Sequence, residues 1–132
     1  MSKECLEMFG TEEAVKPCGV IEAKKFTKAD NGKLKWSLLP FAEMKDVVKV
    51  LMKGAEKYSP DNWQRCDDIT RYKDALMRHV VSYVEGDKID KIEEGGDGLP
   101  HLAHAICNCL FLMWFDNREK QRYTTYTEEL KC

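Results

Sequence analysis

Apolar residues recur at helical spacing in three stretches of the chain, and each stretch predicts an α-helix. Two of these helices begin at a proline, Pro40 and Pro100, a residue that is favoured in the first turn of a helix. The remaining helix can be capped by Asp67 or Asp68. In the last stretch the apolar residues occupy more than one face, which is typical of a helix at the centre of a bundle. The sequence therefore predicts an all-α bundle of three long helices, at about residues 40–57, 68–85 and 100–116.

The segments outside these helices show no sustained period. We expect an irregular N-terminal arm, with one short helix after Thr11. The stretch Gly86–Gly98 is rich in Asp, Glu and Gly, which favours a solvent-facing loop. Beyond Asp116 the chain is polar, and Thr125-Tyr126-Thr127-Glu128 fits a capping box for a short terminal helix. These segments predict a single domain over residues 1–132, made of an arm (1–39), a helical core (40–116) and a C-terminal tail (117–132).

Composition narrows the class of protein. The 132 residues, 43% of them hydrophobic, suffice for one domain with its own core. The 21 basic and 23 acidic residues nearly cancel, so no bulk charge draws the chain to duplex nucleic acid or to an anionic membrane. No apolar run approaches the roughly 18 residues of a membrane span, and Met1–Cys5 lacks the apolar core of a signal peptide, so we expect a cytoplasmic protein. The six cysteines form no CxxC pair, and we interpret them as reduced thiols rather than zinc ligands.

A polar stripe runs along the apolar third helix. His101, His104 and Asn108 lie at positions i, i+3 and i+7, and so share one face. Each needs a partner, because a buried polar group without one costs about 1–3 kcal/mol. A metal, a ligand or a hydrogen-bonded pair within the core would each satisfy them.

All three histidines lie in one part of the chain together with many of its carboxylates. Imidazole nitrogens and carboxylate oxygens together suit a divalent cation, with Mg²⁺ or Mn²⁺ as the candidates, whereas plain solvation is the alternative for the acidic loop. The candidate metal ligands are Asp46, Asp90, His101 and His104, and the candidate catalytic residues are Asp46, Glu85 and His104.

Cationic and aromatic residues alternate along the first two thirds of the chain. Lysine and arginine neutralise phosphate, and aromatic rings stack on bases, so this pattern favours a small-molecule nucleotide as ligand. The chain has no P-loop, no dinucleotide-binding GxGxxG and no GxSxG motif. The candidate substrate-binding residues are Lys33, Lys35, Trp36, Lys57, Tyr58, Asn62, Trp63, Arg78, His79 and Asn108.

Four segments follow one another in a distinctive order: Gly32–Pro40, Gly54–Tyr58 with Asn62-Trp63, Arg78-His79, and Gly98–His104 with Asn108. Together they resemble the phage-associated dATP/dGTP diphosphohydrolase family, over about residues 28–115. That family is similar to the all-α nucleoside triphosphate pyrophosphohydrolases related to MazG and to phosphoribosyl-ATP pyrophosphohydrolase. The resemblance implies a helical and usually oligomeric enzyme that uses Mg²⁺ or Mn²⁺ to cut between the α and β phosphates.

The metal-binding pattern of those enzymes, ExxE on one helix and ExxD on a later one, is changed in this chain. By position, His101 and His104 correspond to the ExxD acids, and Arg78 and His79 stand where an acidic cluster would lie. These replacements weaken Mg²⁺ binding, although Glu43-x-x-Asp46 retains two carboxylates on one face of the first helix.

These features predict a metal-dependent pyrophosphohydrolase, in a homodimer or higher oligomer, that converts purine (deoxy)nucleoside triphosphates to monophosphate and pyrophosphate. The alternative is a non-catalytic nucleotide-binding protein, such as a phage protein that sequesters a nucleotide signal, because arginine and histidine in place of acids favour direct binding of an anion. A helical interaction module is a third reading, but it leaves the polar stripe unexplained.

Overall fold

A computed structural model describes residues 23–131 of the chain. The chain divides into two compact units, one ending at Lys35 and the other beginning at Trp36. Within the first unit, the Lys33 amide donates to the Asp30 carbonyl and closes the turn that Asp, Asn and Gly predict there. The short helix expected after Thr11 lies outside the described residues.

The second unit is helical. Its α-helices are α1 (Phe41–Lys57), α2 (Thr70–Val84) and α3 (His101–Glu129), and short 3₁₀ helices lie at Trp36–Leu38, Asn62–Arg65 and Ile92–Glu94. Over residues 23–131 there is no strand, and one isolated bridge joins Ile89 to Pro100. The all-α prediction is confirmed. None of the described helices is long and apolar enough to cross a membrane.

Local sequence explains where the first two helices begin and end. Pro40 stands at the N-cap of α1, and its carbonyl accepts from the Met44 amide. At the start of α2, the Asp68 carboxylate accepts from the Thr70 amide at 2.9 Å, which is the capping interaction expected of this aspartate. Beyond α2 the chain turns at Gly86, whose φ of +100° suits glycine.

The core forms where α1 and α2 both pack against α3. Val47 of α1 is 1% exposed and packs with Ala103 and Cys107, two small side chains that allow α1 to approach α3 closely. Burial raises the pKa of the Cys107 thiol to about 11, so it stays protonated at neutral pH. The structure confirms the central position of the third helix.

The C-terminal tail differs from its prediction. No separate short helix forms, because α3 continues without a break through residues 117–129. The Thr125 hydroxyl, predicted to cap a new helix, donates to the Gln121 carbonyl one turn earlier, and Thr124 and Thr127 bond back in the same way. The extension opens with Arg-Glu-Lys-Gln-Arg at residues 118–122, all of good helix propensity, and these carry the helix past the point where the apolar pattern stops.

Candidate metal and nucleotide site

The acidic loop between α2 and α3 is held by its own backbone. The Asp90 amide donates to the Leu99 carbonyl at 2.9 Å, and the Gly98 amide donates back to the Asp90 carbonyl at 2.7 Å. The His101 amide bonds the Lys88 carbonyl at 2.9 Å and joins the first turn of α3 to the same loop. The loop is not simply solvent-facing as expected, because three of its carboxylates are half-buried and point towards histidines: Asp87, Asp90 and Asp97.

Asp90, Asp97 and His104, which we call the cation triad, bring three ligand atoms within 4.8 Å of one another. His104 Nε2 lies 3.0 Å from Asp97 Oδ1 and 3.7 Å from Asp90 Oδ2. Burial alone would raise the pKa of Asp97, but hydrogen bonds from His104 and the Leu99 amide, together with the charges of His104 and Lys53, lower it below its usual value. Asp97 is therefore an anion at neutral pH.

The triad has the donor chemistry of a divalent-cation site. Two carboxylates and one imidazole, half-buried and already gathered, match the mixed oxygen and nitrogen ligands that Mn²⁺ accepts. Because the triad supplies only three ligands, a divalent cation held there would keep coordination positions free for phosphate oxygens and water. Among the described residues, this is the one such group of three or more potential ligands.

The other two histidines extend the triad into a larger cluster. His79 Nδ1 lies 2.9 Å from His101 Nδ1, and the His79 ring stacks on His104 with centroids 4.5 Å apart. One Nδ1 must donate and the other accept. Which of them donates depends on the tautomers of the two rings, and Asp87 Oδ2 stands 3.9 Å from His101 Nε2. We call these six residues the histidine cluster: His79, Asp87, Asp90, Asp97, His101 and His104.

His79 is uncharged at neutral pH. Burial, together with the neighbouring His104 and His101, lowers its pKa to about 4, and the nearby Asp90 opposes this shift only in part. The cluster thus presents a neutral imidazole beside anionic carboxylates.

Two of the four predicted metal ligands, Asp90 and His104, belong to the cation triad. His101 is 6% exposed and shares a hydrogen bond with His79 instead. Asp46 lies apart from the triad and pairs with Lys49 at 2.8 Å on the surface of α1.

Of the predicted catalytic residues, only His104 lies in the cluster. Glu85 is exposed at the C-cap of α2, and its side chain makes no hydrogen bond or ion pair with any described residue. Asp87 and Asp97 lie in the acidic stretch Gly86–Gly98, and residue type and spacing alone assign them no role. A local signal did mark Asp97, because the sequence Asp-Gly-Leu-Pro favours an aspartate that accepts from the amide two residues on.

An open cleft of about 1020 Å³ lies between α1, the 58–67 connector, α2 and α3. Its floor is largely apolar and aromatic, and arginines from the connector and α2 stand on its wall. Five of the ten predicted substrate-binding residues line it: Tyr58, Asn62, Trp63, Arg78 and Asn108.

One face of the Trp63 ring is covered by another aromatic side chain. The ring stacks on Phe111 with centroids 4.5 Å apart and an angle of 18°, and the edge of Trp114 packs at 5.0 Å. The Trp63 carbonyl accepts from the Tyr72 hydroxyl, which fixes the connector to α2. The aromatic end of the cleft is therefore rigid.

Of the other five predicted substrate-binding residues, the three in the same unit as the cleft are not among those that line it: Trp36, Lys57 and His79. His79 lies in the histidine cluster, and Lys57 places Nζ 5.0 Å from the centre of the Tyr58 ring. Trp36 is 68% exposed in the first 3₁₀ helix. Lys33 and Lys35 belong to the first unit.

The cleft and the histidine cluster meet at α3. Asn108, which lines the cleft, donates to the His104 carbonyl at 2.8 Å, and four residues of helix correspond to an axial distance of about 6 Å. On α2, Arg78 of the cleft directly precedes His79 of the cluster.

Comparison with known proteins identifies the family of the chain. The chain is 36% identical over 92 residues to a dATP/dGTP diphosphohydrolase of Salmonella phage PMBT28, which covers 68% of the chain and 29% of that relative. The chain thus spans less than a third of the length of the relative. No solved structure matches the chain. The family model described as dATP/dGTP diphosphohydrolase, N-terminal, matches residues 23–125, so the chain belongs to this family, as its sequence motifs predicted.

Proposed function

We propose that the chain hydrolyses purine deoxynucleoside triphosphates to the monophosphate and pyrophosphate with the help of a divalent cation held by the cation triad. The observation that carries this proposal is the gathering of Asp90, Asp97 and His104 within 4.8 Å, one helical turn from a cleft wide enough for a nucleotide. The name of the phage relative supplies the substrate class, dATP and dGTP.

The residues of the cluster would divide the work. Asp90, Asp97 and His104 would hold Mg²⁺ or Mn²⁺, which as a Lewis acid polarises a phosphate oxygen. Arg78 would neutralise phosphate charge at the end of the cleft. Water adds to the α-phosphorus, the bond from that phosphorus to the bridging oxygen breaks, and pyrophosphate leaves.

The attacking water must lose a proton. His79, which stacks on His104 of the triad and is uncharged at neutral pH, is the residue of the cluster that would accept it. His101 and Asp87 would keep this ring in the required tautomer.

The decisive experiment is incubation of the chain with each deoxynucleoside triphosphate in Mg²⁺, Mn²⁺ or EDTA, with products resolved by ion-exchange chromatography. We expect dAMP or dGMP with pyrophosphate in the presence of the cation and none in EDTA. Asp97→Asn should abolish turnover, whereas Glu93→Gln, which removes an exposed carboxylate from the same loop, should not. Full turnover in Asp97→Asn would contradict the proposal.

A second candidate function is nucleotide binding without catalysis. The observation that favours it is that Arg78, His101 and His104 stand where the related enzymes hold acids, because arginine and histidine in place of acids favour direct binding of an anion. In that case the chain would bind dATP or dGTP in EDTA and form no product with any cation, and the cleft rather than the triad would determine affinity.

A further inference from the structure

Three charged residues of α2 form a row along the wall of the cleft. Arg71, Asp74 and Arg78 are spaced by three and four residues, and all three line the cleft. No ion pair of 4.0 Å or less involves any of them within residues 23–131, although Asp74 stands one turn from each arginine. All three side chains are exposed, so their charges are accessible to a ligand in the cleft.

The two ends of this row have different surroundings. Arg78 adjoins His79 and faces the end of the cleft where Asn108 bonds the His104 carbonyl. At the other end, Arg71 precedes Tyr72, whose hydroxyl is bonded to the Trp63 carbonyl at the aromatic floor. Arg71 and Arg78 thus stand about 10 Å apart along the helix axis, Arg71 beside the aromatic residues of the cleft and Arg78 beside the histidine cluster.

The different surroundings at the two ends of the row match the layout of a nucleotide. Phosphates require cations, and a base requires a flat apolar surface with hydrogen-bonding groups at its edge. A carboxylate would repel a triphosphate, so Asp74, which lies between the arginines, is better explained as a group that reads donors on a base.

The edge chemistry of purines fits Arg71 and Asp74 together. Every purine offers N7 as an acceptor, and guanine adds O6, both suited to a guanidinium. The N6 amino group of adenine, or N1–H and N2–H of guanine, can donate to a carboxylate. Pyrimidines have no counterpart of N7 and lose half of the contacts.

We propose that Arg71 and Asp74 form the purine-reading end of the cleft and Arg78 its phosphate-binding end, so that a purine nucleotide lies along α2 with its phosphates towards the histidine cluster. This inference rests on the proposed function for the orientation of the phosphates. It adds the residues that select the base, Arg71 and Asp74. The observations that support these two residues are independent of those that support the cation triad.

Calorimetric titration in EDTA tests the inference, since it measures binding without turnover. The probes are dGTP, dATP, dCTP, dTTP and inorganic tripolyphosphate. Wild-type protein should bind both purine nucleotides at least 10-fold more tightly than the pyrimidine nucleotides. Asp74→Asn and Arg71→Ala should reduce this preference to less than 3-fold while tripolyphosphate affinity stays within 2-fold.

Arg78→Ala should have the complementary effect, a loss of at least 10-fold in affinity for tripolyphosphate and for all four nucleotides, with the purine preference retained. Lys73→Ala on the same helix, exposed and outside the cleft, is the matched control and should change nothing. Helical circular-dichroism spectra would establish that each variant is folded.

Two results would overturn the inference: equal binding of purines and pyrimidines by wild-type protein, or an unchanged purine preference in both Asp74→Asn and Arg71→Ala. Failure of the proposed function is recognised separately. If no cation supports turnover but the base preference depends on Asp74 and Arg71 as described, the chain is a purine-nucleotide binder and the inference stands.

Discussion

A methyl group added to Gly96 and one added to Gly54 would meet opposite surroundings. Gly96 lies in the loop of the histidine cluster, where the added carbon would collide with the side chain of Asp90 and stand 2.6 Å from its backbone carbonyl carbon. Gly54 lines the cleft, and nothing lies within 4 Å of the position the carbon would take. The cluster is close-packed, with its polar groups bonded to one another, whereas the cleft keeps space and unpaired charge for a ligand.

This contrast indicates a division of labour. A site that must hold ligand atoms at fixed distances gains from neighbours that leave no freedom, because small displacements of a metal ligand weaken binding. A site that must admit a nucleotide needs unoccupied volume and unsatisfied groups. The following predictions test whether the two sites can be damaged independently.

The largest effect should come from Asp97→Ala. It removes the acceptor that orients His104 and one oxygen of the cation triad, so cation-dependent turnover should fall at least 100-fold. Binding of dGTP in EDTA, measured by calorimetry, should stay within about 3-fold of the wild type. An equal loss of both properties would show that the cluster and the cleft are a single site.

Gly96→Ala should damage the cluster without removing a polar group. The added methyl forces Asp90 or the loop backbone to shift, and we expect Mn²⁺ affinity, followed by electron paramagnetic resonance, to fall about 10-fold. Unfolding should be easier by about 1–3 kcal/mol because of the overpacking. Unchanged Mn²⁺ affinity would place the cation elsewhere.

His79 predicts a pH dependence of stability. Its pKa is about 4 in the folded chain and near 6.5 when unfolded, so the unfolded state binds more protons between these values. The stability that His79 contributes is therefore complete above pH 6.5 and is lost as the pH falls towards 4. After allowance for its partial exposure, the loss should be about 1–2 kcal/mol.

Urea unfolding of wild type and His79→Gln at pH 7.5 and pH 5 measures this contribution. The wild type should lose more stability than the variant on acidification. A variant with the same loss would assign the acid sensitivity to other groups.

The smallest effect should come from Gly54→Ala. Alanine is favoured over glycine in a helix interior by about 0.5–1 kcal/mol, and the structure leaves room for the methyl group. The midpoint of thermal unfolding should rise by a few degrees. A lower midpoint would show that the cleft leaves no room for a methyl group at Gly54.

The sequence was a good guide wherever local periodicity determines structure. The bounds of α1 and α2 agree with prediction to within two residues, because their apolar faces and turn residues are encoded locally. The length of α3 was underestimated, since its second half is kept helical by propensity and not by an apolar face.

Within the site, the histidine stripe and Asp90 were identifiable from residue type and spacing. The role of Asp97 depends on the backbone bonds that turn its loop inward, and no periodic pattern reports them. The stacking of the Trp63 ring depends on Phe111, which lies 48 positions later in the chain. A contact between residues so far apart is fixed only by tertiary packing.

The paired bonds between Asp90, Gly98 and Leu99 have a further consequence for the speed of cation capture. They close the acidic loop while the chain folds, so the entropy of bringing its two carboxylates together is lost before any ion arrives. Binding of the proposed cation would then order no segment of backbone and would proceed as capture by a preformed receptor. Its rate should be limited by the shedding of water from the ion, and should therefore be faster for Mn²⁺ than for Mg²⁺, which dehydrates reluctantly.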